Sequence, residues 1–124
     1  MQALARERLE NAGIDVTGAL ERFMGNGVLL ERFLKKFLSD PNYEKLAAAG
    51  GAGDQENALT AAHTLKGVCG NLGMTELFDL TAKQVAAFRA GRWEDAIRFM
   101  PNISLAYGRV IDGIRGLEQA AGNG

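Results

Sequence analysis

The sequence predicts an all-α protein, an antiparallel four-helix bundle with additional short helices at its N-terminal end. Apolar residues recur at three- and four-residue steps, as between Leu29 and Leu38, which gives a helix one apolar face. No stretch alternates apolar and polar residues over the length of a strand, so we expect no sheet. The 124 residues are enough for one hydrophobic core, and we expect a single domain over residues 1–124.

Glycines and capping residues divide the chain into its helices. Asn26, Asp54 and Thr75 are expected to cap helices, and Asp40-Pro41 to begin one. The predicted helical segments are 1–12, 18–24, 27–38, 41–49, 54–73, 76–90 and 93–117.

Two segments of the predicted bundle are irregular. Residues 50–53 read Gly-Gly-Ala-Gly and predict a tight, flexible connection between two helices. Pro101 lies inside the last predicted helix. Because a proline inside a helix removes one backbone hydrogen bond, we expect a kink near Phe99.

Composition excludes several functional classes. Fourteen basic and fifteen acidic side chains leave a net charge of −1. The chain therefore lacks the excess of positive charge that is typical of proteins that bind nucleic acid or an anionic membrane. No apolar run approaches the ~18 residues of a membrane span. One histidine and one cysteine cannot build a zinc site, which needs three or four protein ligands. We therefore expect no metal or cofactor of the protein's own.

The cysteine count also bears on location. A single cysteine cannot form an internal disulfide, which favours a reducing compartment. The first ten residues contain no apolar signal segment. We expect a cytoplasmic protein, and Met1 with the glycine-rich end favours a complete, free-standing chain.

The only histidine, His63, lies on the predicted helix 54–73. On a helical wheel at about 100° per residue, six residues of this helix fall within about 60° of it: Glu56, Leu59, Thr60, Lys66, Gly67 and Gly70. The opposite side of the same helix carries the apolar stripe expected to face the core: Ala58, Ala61, Leu65, Val68 and Leu72.

This face has a chemical interpretation. A neutral imidazole nitrogen is a good phosphoryl acceptor near neutral pH, and Lys66, one turn on, can reach phosphoryl oxygens. Gly67 and Gly70 would let another protein's active site approach, although a glycine inside a helix costs about 0.5–1 kcal/mol relative to alanine. The residues alone leave two interpretations open, a phosphoryl-accepting face and an ordinary polar helix face.

The segment His63-Thr64-Leu65-Lys66-Gly67, followed by Asn71-Leu72-Gly73, resembles the histidine-containing phosphotransfer (HPt) domain of bacterial, fungal and plant phosphorelays. The family pattern is His-x-Leu-Lys-Gly, then small residues, then Leu-Gly. The resemblance extends over most of the chain, through residues 13–16, 23–37 and 77–91.

The resemblance implies that His63 is phosphorylated, that Lys66 stabilises the phosphoryl group and that Gly67 admits a partner. Members often place a Gln or Glu of the following helix near the phosphoryl site, and Gln84 is the nearest candidate here. The implied partners are a receiver domain, which would bring a phospho-aspartate and Mg²⁺, and a sensor histidine kinase. Members of the family are mostly monomeric.

The docking surface is expected to be apolar at its centre. Leu59 lies on the His63 side of the helix without a reason to be apolar there, and Gly67 and Gly70 widen the patch. We expect no kinase or phosphatase activity, because the chain has no Gly-x4-Gly-Lys-Ser/Thr loop.

Two rival functions remain. One is an interaction module that binds or inhibits a kinase or receiver without phosphorylation of His63; the retained His63-Lys66 pair speaks against it, since such a module needs neither residue. The other is an enzyme with His63 as general base. Glu56, the nearest acidic candidate, lies about two turns away, which gives it poor support.

Overall fold

In this computed structural model the backbone of residues 1–123 and the side chains of residues 1–118 are described. The described part contains helices and no strand, which confirms the predicted all-α class. The helices are α1 (Ala3–Asn11), α2 (Val16–Arg22), α3 (Gly27–Phe37), α4 (Asn42–Ala52), α5 (Gln55–Asn71), α6 (Thr75–Arg89), α7 (Trp93–Arg98) and α8 (Met100–Asn123).

Two capping predictions are confirmed by side-chain hydrogen bonds. The carboxamide oxygen of Asn26 accepts a hydrogen bond from the backbone N–H of Leu29 at 3.0 Å, at the start of α3. The carboxylate of Asp54 accepts one from the N–H of Asn57 at 3.1 Å, at the start of α5. Each cap satisfies a donor that the first helical turn leaves unpaired.

Other predicted boundaries are wrong. α2 begins earlier than predicted, because the Asp15 side chain accepts a hydrogen bond from the N–H of Gly18 and caps the helix there. α4 continues to Ala52, through most of the predicted loop 50–53. Only Gly53 leaves the helix, with a φ of +69° that suits glycine. Thr75 is the first residue of α6 and not its cap.

The predicted last helix is two helices in the structure. α7 ends at Arg98 and α8 begins at Met100, so the chain breaks at Phe99, where the sequence predicted a kink. Pro101 stands in the first turn of α8. A proline is tolerated there because the N–H that it lacks would have no partner within the helix.

The core is one cluster of buried apolar side chains to which seven of the described helices contribute. α5 packs between α4 and α6, while α8 packs against α3 and α6. The single cysteine, Cys69, is fully buried in this cluster. Burial, with a smaller contribution from the Asp40 carboxylate, raises the pKa of its thiol to about 12. Burying each large apolar side chain contributes about 1.5–3 kcal/mol.

Glycines of α8 let α1 approach closely. A Cβ on Gly113 would overlap the Cβ of Ala12, and a Cβ on Gly116 would lie 3.0 Å from Nη1 of Arg8. The same Nη1 donates a hydrogen bond to the carbonyl oxygen of Gly116 at 3.2 Å. The two glycines, for which the sequence alone offers no reason, therefore form the surface on which α1 lies.

Replacing Gly113 by alanine should lower the free energy of unfolding relative to the same change at Gly108. Both changes give α8 the same gain in helix propensity, about 0.5–1 kcal/mol. A Cβ at Gly113 overlaps Ala12, whereas no atom lies within 4 Å of a Cβ at Gly108. Overpacking of this kind costs about 1–3 kcal/mol, which urea unfolding of the two variants measures. Equal stabilities would contradict the close approach of α1 to α8.

Candidate functional site

α5 exposes His63 because its neighbours cover the other side of the helix. Ala58, Ala61 and Leu65 of α5 are buried, while His63 is exposed to solvent. The helical wheel predicted this division, and α4 and α6 on either side of α5 account for it. The histidine therefore stands on a narrow strip of helix surface.

Val68 packs against the core cluster, as the wheel predicted, but is not fully buried. Its side chain is half-buried and lines a cavity of about 610 Å³, together with Phe33 and Phe37 of α3. The wheel places Val68 on the correct side of α5. It does not show that the neighbouring helices leave a space at that level.

Lys66 and Leu59 lie beside His63 on the side of α5 that faces α6. Both residues are half-buried, and the Leu59 side chain packs against the core cluster. Among the described side chains Lys66 forms no ion pair. Its ammonium can therefore turn towards an anion bound next to His63.

Gly67 is open to solvent. No atom of the protein lies within 4 Å of the position that its Cβ would take, and the residue is exposed. Packing within this chain therefore does not require a glycine at position 67. The helix accepts a loss of about 0.5–1 kcal/mol relative to alanine there.

Gly70 has a different role from the one predicted. A Cβ on Gly70 would lie 3.2 Å from two ring atoms of Phe78, on α6. This is tighter than most packing contacts, so a side chain at position 70 would require the Phe78 ring to move by a few tenths of an ångström. The sequence analysis, which predicted that Gly70 widens the face beside His63, missed this contact.

The prediction that Gln84 lies near the phosphoryl site and contacts a docking partner is wrong. Its side chain is fully buried, and its Nε2 donates a hydrogen bond to the carbonyl oxygen of Ala96 at 3.1 Å and lies 3.2 Å from Sδ of Met100. A buried side chain cannot contact a docking partner. The wheel of α6 gives the reason, since Gln84 lies about 140° from Arg89, the residue of α6 that reaches His63.

Arg89 is the residue that the sequence analysis missed. Its Nη2 lies 3.4 Å from Nδ1 of His63, so the last turn of α6 brings a guanidinium to the imidazole ring. In the sequence it is one basic residue near a helix C-terminus, where such residues are common because they oppose the helix dipole. No spacing along the chain indicates the contact, because it joins two helices.

The described residues contain neither a cluster of metal-binding side chains nor a membrane-spanning helix. No three His, Cys, Asp or Glu side chains among them are grouped closely enough to hold a metal ion. None of the described helices is long and apolar enough to cross a membrane.

Residues 28–120 match the family model of the Hpt domain. The chain belongs to the Hpt domain family. Hpt domains act in histidine phosphotransfer in two-component phosphorelays, in which they interact with receiver domains and histidine kinases. They are phosphotransfer modules and not kinases or phosphatases. No curated protein and no solved structure matches this chain significantly.

In this Hpt domain, alanine at position 67 should stabilise the protein more than alanine at position 70. Alanine in place of glycine adds helix propensity, about 0.5–1 kcal/mol in a helix interior. Gly67→Ala should gain all of it, since its Cβ meets no atom within 4 Å. Gly70→Ala should be less stable by about 1 kcal/mol or more, because the Phe78 ring must move. Thermal and urea unfolding measure the difference, and two equally stabilised variants would refute the assigned packing role of Gly70.

Proposed function

We propose that this Hpt domain is a phosphorelay intermediate that accepts a phosphoryl group on His63. The donor would be a phospho-aspartyl receiver domain or a histidine kinase, and the acceptor a response regulator. The observation that carries the proposal is the exposed imidazole of His63 between an open Gly67 and the guanidinium of Arg89. Membership of the Hpt family supports the reaction class.

The transfer consists of one bond formed and one bond broken. The lone pair of a His63 ring nitrogen forms the N–P bond, in line with the P–O bond to the partner's aspartyl carboxylate. That P–O bond breaks, and its electrons stay on the carboxylate. The partner is expected to bring Mg²⁺ with its phospho-aspartate. Such reactions are catalysed mainly by positioning and charge compensation.

The chain itself would contribute two cations next to the nucleophile. Lys66 lies one turn from His63 on the same helix, at a spacing that lets side chains meet. Arg89 reaches the ring from α6. Two positive charges near the ring suit a phosphoryl group, whose oxygens carry negative charge before and after transfer.

A small docking surface fits a relay protein. Gly67 lets a partner approach the ring closely, and the half-buried Leu59 would supply an apolar contact beside it. Transient signalling contacts lie at the lower end of interface sizes, below about 1,200 Å² in total. We propose that the partner that docks over this strip is a receiver domain.

We propose, together with this function, that the helices form an antiparallel four-helix arrangement and that the protein is a cytoplasmic monomer. We also propose that it has no kinase or phosphatase activity and no metal or cofactor of its own. The single Cys69 is buried, and a lone cysteine suits a reducing compartment.

His63→Gln should abolish acceptance of radiolabelled phosphate from phosphorylated receiver domains, while the wild type becomes labelled. Glutamine retains polarity at this exposed site but has no nucleophilic ring nitrogen. Transfer is followed as loss of label from the receiver and gain on this chain. Equal labelling of both proteins would contradict the assignment of His63. Binding without any labelling of the wild type would favour the interaction module instead.

Gly67→Gln should slow transfer about tenfold to a hundredfold, because a side chain beside the ring displaces the docked partner from its productive geometry. The matched control is Gly51→Gln on α4, where a Cβ also meets no atom within 4 Å. Both glycines lie within helices and are open to solvent, so circular dichroism should show two folded proteins. A Gly67→Gln protein with the wild-type transfer rate would refute docking over this residue.

A further inference from the structure

The contact between Arg89 and His63 determines where the imidazole carries its proton. Nη2 of Arg89 lies 3.4 Å from Nδ1 of His63. A guanidinium has only N–H donors and no acceptor, so Nδ1 has to be the acceptor and must hold a free lone pair. A neutral imidazole carries one proton, which in this arrangement lies on Nε2.

This tautomer is unsuited to nucleophilic attack. Nε2 is the ring nitrogen farther from the backbone and is the more accessible one, but in this tautomer its lone pair is replaced by an N–H bond. The lone pair of Nδ1 is directed at the Arg89 guanidinium. The resting ring therefore offers no available lone pair to an incoming phosphoryl group.

We propose that Arg89 is a positioning residue that holds His63 in the Nε2–H tautomer, so that phosphoryl acceptance requires Arg89 to leave Nδ1. The consequence for transfer rests on the proposed function, whereas the tautomer itself does not. Among the described side chains Arg89 is the hydrogen-bond partner of this ring. Gln84, whose amide oxygen could have accepted a hydrogen bond from Nδ1–H and kept Nε2 available, is buried elsewhere.

A phosphorylated partner supplies the reason for Arg89 to leave. Hydrogen bonds between a guanidinium and phosphoryl oxygens join two charged groups and are roughly twice as strong as those between neutral groups. Arg89 is exposed and forms no ion pair with the described side chains. Its guanidinium can therefore turn from the neutral imidazole to the arriving phosphoryl group.

The proton movement that follows is balanced. Once Nδ1 is released, water takes the proton from Nε2 and water supplies one to Nδ1, so the ring stays neutral. Nε2 then holds the lone pair that forms the N–P bond while the P–O bond to the partner's carboxylate breaks. Arg89 thereby links the arrival of the phosphoryl group to the availability of the nucleophile.

Nitrogen NMR of ¹⁵N-histidine-labelled protein tests the proposal directly, because the chain has a single histidine and its signals need no assignment. Spectra are recorded at increasing pH until the ring nitrogen shifts no longer change, so that the neutral form of the ring is observed. The wild type should show the Nε2–H tautomer. Arg89→Met should show a several-fold larger population of the Nδ1–H tautomer.

Lys83→Met is the matched control, since it removes one positive charge from the exposed surface of the same helix. It should leave the wild-type tautomer unchanged. An Nδ1–H tautomer in the wild type, or the same tautomer populations in the wild type and Arg89→Met, would overturn the proposal. The measurement uses no phosphoryl donor, so a failure of His63 to accept phosphate would refute the proposed function and leave this result standing.

Discussion

The site depends on the packing of α5 between α4 and α6. This packing covers most of the circumference of α5 and leaves one strip exposed, on which His63 and Gly67 stand. Small residues make the close approach possible: Ala58 and Ala61 are buried in the core, and Gly70 accommodates the Phe78 ring. A larger residue at these contacts would separate the helices and displace the last turn of α6, which carries Arg89 to the histidine.

The site is chemically incomplete in a way that suits an intermediate. Among the described side chains the imidazole is contacted by the guanidinium of Arg89, and Lys66 lies one turn away on the same helix. A phosphoryl group on His63 would be stabilised by charge without a neighbouring base to activate water against it. In the proposed role of Arg89, its guanidinium keeps the imidazole of His63 in an inactive tautomer until a phosphoryl group binds the guanidinium in place of Nδ1.

The outcome of the sequence predictions follows from the distance over which each interaction acts. The caps at Asn26 and Asp54 were predictable because a side chain bonds to a backbone group three residues away. The break near Phe99 was predictable because Pro101 acts on its own turn. The contacts of Gly70 and Gln84 could not be predicted from the sequence, because these contacts depend on which residue of a neighbouring helix lies opposite.

The sequence by itself determined the helical class, the helix that carries His63 and the exposure of that residue, since these follow from local hydrogen bonding and a repeat of about 3.6 residues per turn. The resemblance of the residues from His63 to Gly73 to the Hpt pattern indicated the family. Only the tertiary structure decided what surrounds the histidine. It buried Gln84, placed Gly70 against Phe78 and brought Arg89 to Nδ1. The physical reason is that contacts between helices depend on the relative positions of two helix axes, which no periodicity within one helix specifies.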